Sequence, residues 1–322
     1  IYTVHFSKTG YIPYSWPGSF TWGGDSYTID DVTIQAGSII EVSGRVGGIW
    51  YDDYQYRVIG DLEIADGDTL VVEPGTQVLF MGNYQMEVYG SLIAVGTEQD
   101  SIYFTSGQAI KDGLDWNGIR FYDSSGDNSR EIVFQYCDIS YGGGADRLLS
   151  FEHIFDEANS NDKEIRILNC NLHHSGSFGI YAIYTAIDIS DTKMRHWGTG
   201  HAIYINNPYR VNINNNEIYS DDSDYSWNYC FDIGCNNDNY SSKTEITNNT
   251  FLQDGYYMGD LYNTSDADDN DTLIVKNNNF ISGSYWNYFN VGTRYNNYSL
   301  FEGNTFKIFS DSQNGTGVRI SS

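Results

Sequence analysis

Eight-residue segments recur along this chain with their apolar positions in a fixed phase, and a column of asparagines emerges from them. Six copies are Ile132 to Ile139 (IVFQYCDI), Ile165 to Leu172 (IRILNCNL), Val211 to Ile218 (VNINNNEI), Thr244 to Phe251 (TEITNNTF), Leu273 to Phe280 (LIVKNNNF) and Ser299 to Phe306 (SLFEGNTF). A seventh, Ile187 to Met194 (IDISDTKM), follows the pattern more loosely. The last residue of each copy is an anchor, and the residue five before it is apolar every time. Two before the anchor stand Cys137, Cys170, Thr192, Asn216, Asn249, Asn278 and Asn304. The anchors are 22 to 33 residues apart, so the spacers vary while the phase does not.

Such a column has a physical meaning. Successive coils of a solenoid stack their strands about 4.8 Å apart and place equivalent side chains on top of one another. Asparagine gains most from that stacking, because each amide donates to one neighbour and accepts from the other. The expected fold is all-β, a right-handed parallel β-helix of about ten coils with three short strands per coil and an asparagine ladder at one corner. Glycine at 33 positions, proline at only 4, and no convincing amphipathic stretch point to low helix content. The nearest approach to a helix is Phe151 to Ser160.

The first half repeats the same logic with tighter turns, in apolar pairs separated by one outward residue, such as Leu62 and Ile64 or Val78 and Phe80. There GDLEIADGDTLVVEPGTQVLF (Gly60 to Phe80), VYGSLIAVGTEQDSIYFTS (Val88 to Ser106) and WNGIRF (Trp116 to Phe121) resemble the amino-terminal coils of secreted right-handed parallel β-helix proteins of the pectate-lyase-like superfamily. The resemblance covers roughly residues 30 to 322 and implies the fold and an extracellular or cell-surface location. It does not choose a function, because one fold hosts many. Residues 1–30 break the coil pattern and read as an N-terminal cap or docking arm, with residues 31–322 forming one β-helix domain.

Charge narrows the partners. Asp and Glu number 43 against 17 Lys and Arg, a formal net charge of -26, so nucleic acid is excluded as a natural partner and cations are attracted. No apolar run is long enough for a membrane span. No cofactor is required, and calcium is the candidate ion. The segment Asp266, Asp268, Asn270, Asp271 begins like a calcium loop, but it has Asp271 where an EF-hand needs glycine and Asn277 where it needs glutamate. Cys137 and Cys170 share the ladder column and read as small buried thiols, and Cys230 and Cys235 lie five apart across a corner.

Basic groups gather in one stretch, His173, His174, Lys193, Arg195, His196 and His201. The repeat alignment puts His173 beside Arg195 and His174 beside His196. β-Elimination on a uronate needs a base, a cation for the enediolate and an acid for the leaving oxygen, roles these residues fit. The aspartate, Gly-His-Gly and Arg-Ile-Lys elements of polygalacturonase-like hydrolases are missing, as is the Asp-Pro-His-Asp element of alginate epimerases. Tyrosine, at 28 residues, exceeds what an aliphatic core needs. Tyr256, Tyr257, Tyr285, Trp286 and Tyr288 are the candidate rings for stacking on a sugar. The terminal GVRISS carries no polar cap, which leaves two expectations, a precursor that continues past Ser322 or head-to-tail pairing with a second copy.

The sequence therefore favours a non-catalytic structural or adhesive protein that self-associates end to end into fibres or layers and takes carbohydrate or calcium as ligand. Its rival is a carbohydrate-active enzyme, a polysaccharide lyase working at the histidine cluster.

Overall fold

Alternation of inward and outward side chains builds every layer of this molecule. In the computed structural model the described residues are 5–6, 14–15, 38–123, 130–144, 146–154, 164–198, 200–220, 229–235, 242–253, 257–263, 271–282, 288–293, 298–308 and 317–321. Among them there are strands and turns and no helix. Phe151 and Glu152, where the nearest helical pattern began, end the strand Arg147–Glu152.

Two large sheets carry the chain. Face one is a ten-stranded sheet running from Gly48–Trp50 to Tyr298–Glu302. The other sheet has 20 strands and divides into two parallel ladders that share the long strand Tyr54–Ile64. One ladder, face two, includes Ile102–Ser106, Cys137–Ser140, Asn171–Ser175, Lys193–Trp197 and Glu217–Ser220. The other, face three, includes Arg147–Glu152, Phe178–Ile183, His201–Asn206, Tyr229–Cys235 and Tyr257–Asn263. Every pairing in these sheets is parallel, consistent with a parallel β-helix-like fold.

The apolar pairs of the sequence point inward. Ile165 and Ile167, Val211 and Ile213, and Ile203 and Ile205 are buried, and aromatic rings stack between them along the axis. Phe251, Phe280 and Phe306 occupy equivalent positions, with ring centroids 5.1 and 4.9 Å apart. Phe80 lies 4.0 Å from Trp116, whose indole N–H donates to the Ser140 carbonyl at 2.9 Å. Tyr56 is buried and stacked on Trp50, with ring centroids 4.3 Å apart.

The corner between face one and face two explains the doubled asparagine of the repeat. Its first residue turns the chain through a left-handed backbone conformation, at Asn215, Asn248 and Asn277, with φ of 55°, 59° and 56°. Asparagine adopts that conformation more easily than most residues. The second residue faces inward. Asn216 Nδ2 donates to Asn249 Oδ1, Asn249 Nδ2 to Asn278 Oδ1, and Asn278 Nδ2 to Asn304 Oδ1, at 2.9, 2.9 and 3.0 Å. Each amide oxygen also accepts the backbone N–H of the ladder residue one coil earlier, at 2.8 to 2.9 Å. Thr192 continues the column, its hydroxyl accepting the Cys170 N–H at 3.2 Å. Cys137 and Cys170 are free, buried thiols, and burial with the neighbouring Cys170 pushes the Cys137 thiol well up.

Candidate functional site

Two groups of outward side chains carry chemistry. The first lies on face two, where in-register pairing sets Asp138 beside Asn171 and Ser140 beside His173. His173 Nε2 sits 3.0 Å from both carboxylate oxygens of Asp138. Asn171 Nδ2 donates to the same carboxylate at 2.7 Å and Ser140 Oγ at 3.2 Å. Burial works against a charge on Asp138, but the His173 contact, with Asn171 and Ser140, outweighs it and holds the carboxyl below the usual range. The side chains of His173 and Asp138 are only 18% and 22% exposed, so this contact is largely shielded from water.

Next to it the chain turns toward face three. Tyr141 and His174 hold left-handed corner positions, with φ of 61° and 52°. That turn swings the His174 ring alongside its sequence neighbour, and the two Nδ1 atoms come within 2.6 Å. The Tyr141 ring stacks on the His174 ring at 4.7 Å. A loop after Ser106 returns over this corner. Gly113 O accepts the Gly176 N–H at 2.7 Å, and Lys111 Nζ lies 5.2 Å from the Tyr141 ring centre and 3.4 Å from Thr105 Oγ1. Burial lowers the Lys111 ammonium, against the pull of Asp138 and Asp115.

The second group covers face three. Phe178, His201 and Tyr229 stack in one file, with centroids 5.1 and 4.6 Å apart, and Tyr181 and Tyr204 stack in the next at 4.9 Å. The Arg147 guanidinium caps the second file, 3.5 Å from the Tyr181 ring centre. Asp232 is in register with Tyr204, and Asp260 with Asp232. His201 Nε2 is 3.7 Å from Asp232 Oδ2, beyond a hydrogen bond. His201 Nδ1, Asn206 Oδ1 and Asp232 Oδ1 are buried atoms with no hydrogen-bond partner.

The structure divides the basic cluster expected from the sequence. His173 pairs in register with Arg195, and Lys193 and Arg195 both reach Glu217, at 3.7 and 3.3 Å. His174 is at the same corner, and His196 is on the strand Lys193–Trp197 with its side chain outside the described ones. His201 does not join them, because the strand Lys193–Trp197 belongs to face two and His201 opens a strand of face three. Tyr256, Tyr285 and Trp286 lie outside the described residues, as do the side chains of Tyr257 and Tyr288. So do Asp266, Asp268 and Asn270 of the calcium segment, and most of residues 1–30. Asp271 is buried, its carboxylate accepting the Ser242 N–H. Among the described residues no group of three His, Cys, Asp or Glu side chains is arranged to hold a metal ion. No helix there is long and apolar enough to cross a membrane.

Asp138 was not singled out from the sequence, although aligning IVFQYCDI with IRILNCNL sets it beside Asn171 and two residues short of His173. Lys111 and Tyr141 carried no such signal. No family model, no curated protein and no solved structure matches the chain. The class that fold and site define is an all-β protein of long parallel sheets, bearing a shielded Asp–His pair on one face and stacked aromatics on another.

Proposed function

We propose that this protein is an extracellular right-handed β-helix of about ten coils, laddered by asparagine at one corner, that binds polysaccharide along face three and holds it without converting it. The observation that carries the reading is the file of stacked rings Tyr181 and Tyr204 on face three, with the polar side chains of His201, Asn206 and Asp232 beside it. Sugar hydroxyls both donate and accept, and those side chains offer both roles. The rings offer mainly edges and hydroxyls, since their faces are stacked on one another, so recognition rests on hydrogen bonds more than on ring-face contact. End-to-end association and calcium on the acidic surface belong to the same structural or adhesive reading. The resemblance of the first coils to the pectate-lyase-like superfamily supports the extracellular placement.

Titration of a panel of soluble neutral and acidic polysaccharides by calorimetry tests it. Binding is expected, and Tyr204→Ala or Asp232→Ala weakens it by about tenfold or more, roughly 1.4 kcal/mol, while the unfolding midpoint holds. Absence of binding across the panel, or binding indifferent to both substitutions, rules the reading out. Size analysis with and without calcium tests self-association. The polysaccharide-lyase reading is favoured by one observation, the shielded Asp138–His173 pair. New unsaturated sugar ends that vanish in His174→Ala would put it first.

A further inference from the structure

A polymer lying on face three meets the side chains that the register brings into one file. Ser150, Tyr181, Tyr204, Asp232 and Asp260 follow one another through successive strands. Charge is unevenly placed along it. Arg147, over the Tyr181 ring, is ion-paired with Glu152, and Arg120, in register with Ser150, is also in register with Glu87. Past Tyr204 the file runs into two carboxylates on neighbouring strands, which stand about 4.8 Å apart. The strands His201–Asn206, Tyr229–Cys235 and Tyr257–Asn263 contain no lysine or arginine.

We infer that face three selects an uncharged polysaccharide, and that Asp232 and Asp260 are the specificity-determining residues that turn acidic polysaccharides away. The inference rests on the reading of this face as a polysaccharide surface and names the class it takes. An acidic polysaccharide repeats an anionic group along its length, so laying one over the tyrosines sets anion against anion at Asp232 and Asp260. Like charges brought together in this way cost affinity for the wrong partner, and a neutral chain is spared that cost. No lysine or arginine on those three strands offsets the repulsion. The formal net charge of -26 acts in the same direction at longer range, slowing the approach of a polyanion.

The geometry keeps the Asp232 charge effective. Its side chain is 20% exposed, so salt screens it less than it screens a fully solvated group. Burial first, and then the Asp232 carboxylate, push the Tyr204 hydroxyl up, so the field of Asp232 reaches the ring file. A neutral tyrosine hydroxyl donates and accepts, which suits the hydroxyls of an uncharged sugar. His201 Nε2 lies 3.7 Å from Asp232 Oδ2 and offsets the carboxylate only when protonated.

Calorimetric titration of the whole chain at pH 8 with soluble glucans, mannans, xylans and galactans, each beside its carboxymethylated form, tests the inference. At about 10 mM salt the neutral form of a bound polysaccharide is expected to exceed its carboxymethylated form in affinity by about tenfold or more. At about 150 mM salt the gap narrows, because the screening length falls from about 30 to about 8 Å. Replacing both carboxylates, Asp232→Asn with Asp260→Asn, lowers the ratio of neutral to carboxymethylated affinity by about threefold or more, whatever the neutral affinity itself does. Carboxymethylated forms bound as tightly as neutral ones, or a ratio unmoved by the two substitutions, overturn the inference and leave face three a polysaccharide surface. Binding of no polysaccharide removes that reading and the inference with it. On the unaltered protein, the diethylaminoethyl form of the same polysaccharide controls for the bulk of the substituent. This cationic form is expected to bind more tightly than the carboxymethylated one, and the reverse order overturns the inference even if the double variant fails to fold.

Discussion

Asn249 shows how much one side chain does here. Its Oδ1 accepts the Asn216 N–H at 2.8 Å and the Asn216 amide at 2.9 Å, and its Nδ2 donates to the Ile213 carbonyl at 2.8 Å. It is 1% exposed, so water cannot replace those partners when the side chain is cut back. Asn249→Ala is expected to cost about 2 to 4 kcal/mol of stability by urea unfolding, from several groups left unpaired. A loss under about 0.5 kcal/mol would show that the column is not a bearing element. Asp138 makes a different prediction. Its carboxyl is held below the usual range when folded, so its contribution is present above its ordinary value of 3.8 and is lost as pH falls through the lower folded value. Thermal melts from pH 6 to pH 2 should therefore drop less steeply in Asp138→Asn than in the unaltered chain.

Among the elements, the corner loops carry what the strands do not. The loop from Ser106 to Trp116 reaches past the neighbouring coil to meet Gly176, whose N–H donates to both Gly113 O and Gly142 O, at 2.7 and 2.9 Å. There is no room there for a side chain, since a Cβ on Gly176 would stand 2.0 Å from Leu114 Cδ2 and 2.7 Å from Gly113 O. Gly176→Ala should lift the loop and take Lys111 off the Tyr141 ring. Limited proteolysis reads this as earlier cleavage between residues 107 and 115, with the parallel sheets retained by circular dichroism. Cleavage no faster than in the unaltered chain would mean that the loop is held by its own turn, through Asp112 and Asp115.

On the scale of the whole molecule, a formal charge of -26 opposes the compact state by self-repulsion. Raising monovalent salt from about 10 to 150 mM, which shortens the screening length from about 30 to about 8 Å, should raise the unfolding midpoint. A flat or falling midpoint would show the acidic groups to be locally compensated. The all-β architecture of long parallel sheets was legible from residues alone. Inward pairs such as Ile165 and Ile167 recur with period two, and the column Asn216, Asn249, Asn278, Asn304 reports stacking because identical side chains gain from lying in register. The Asp138 contact to His173 was half legible, through the alignment of two repeats. The separation of His201 from His173 was not, because the strands Lys193–Trp197 and His201–Asn206 lie on different faces and sequence distance does not record it. Nor was the return of Lys111 over Tyr141, which depends on Leu114 meeting Gly176, a contact between segments 62 residues apart. Sequence by itself determined the period and the inward faces, since those follow from local alternation repeated in phase. Tertiary structure decided which outward groups share a face and where a loop lands, since those depend on contacts no repeat encodes.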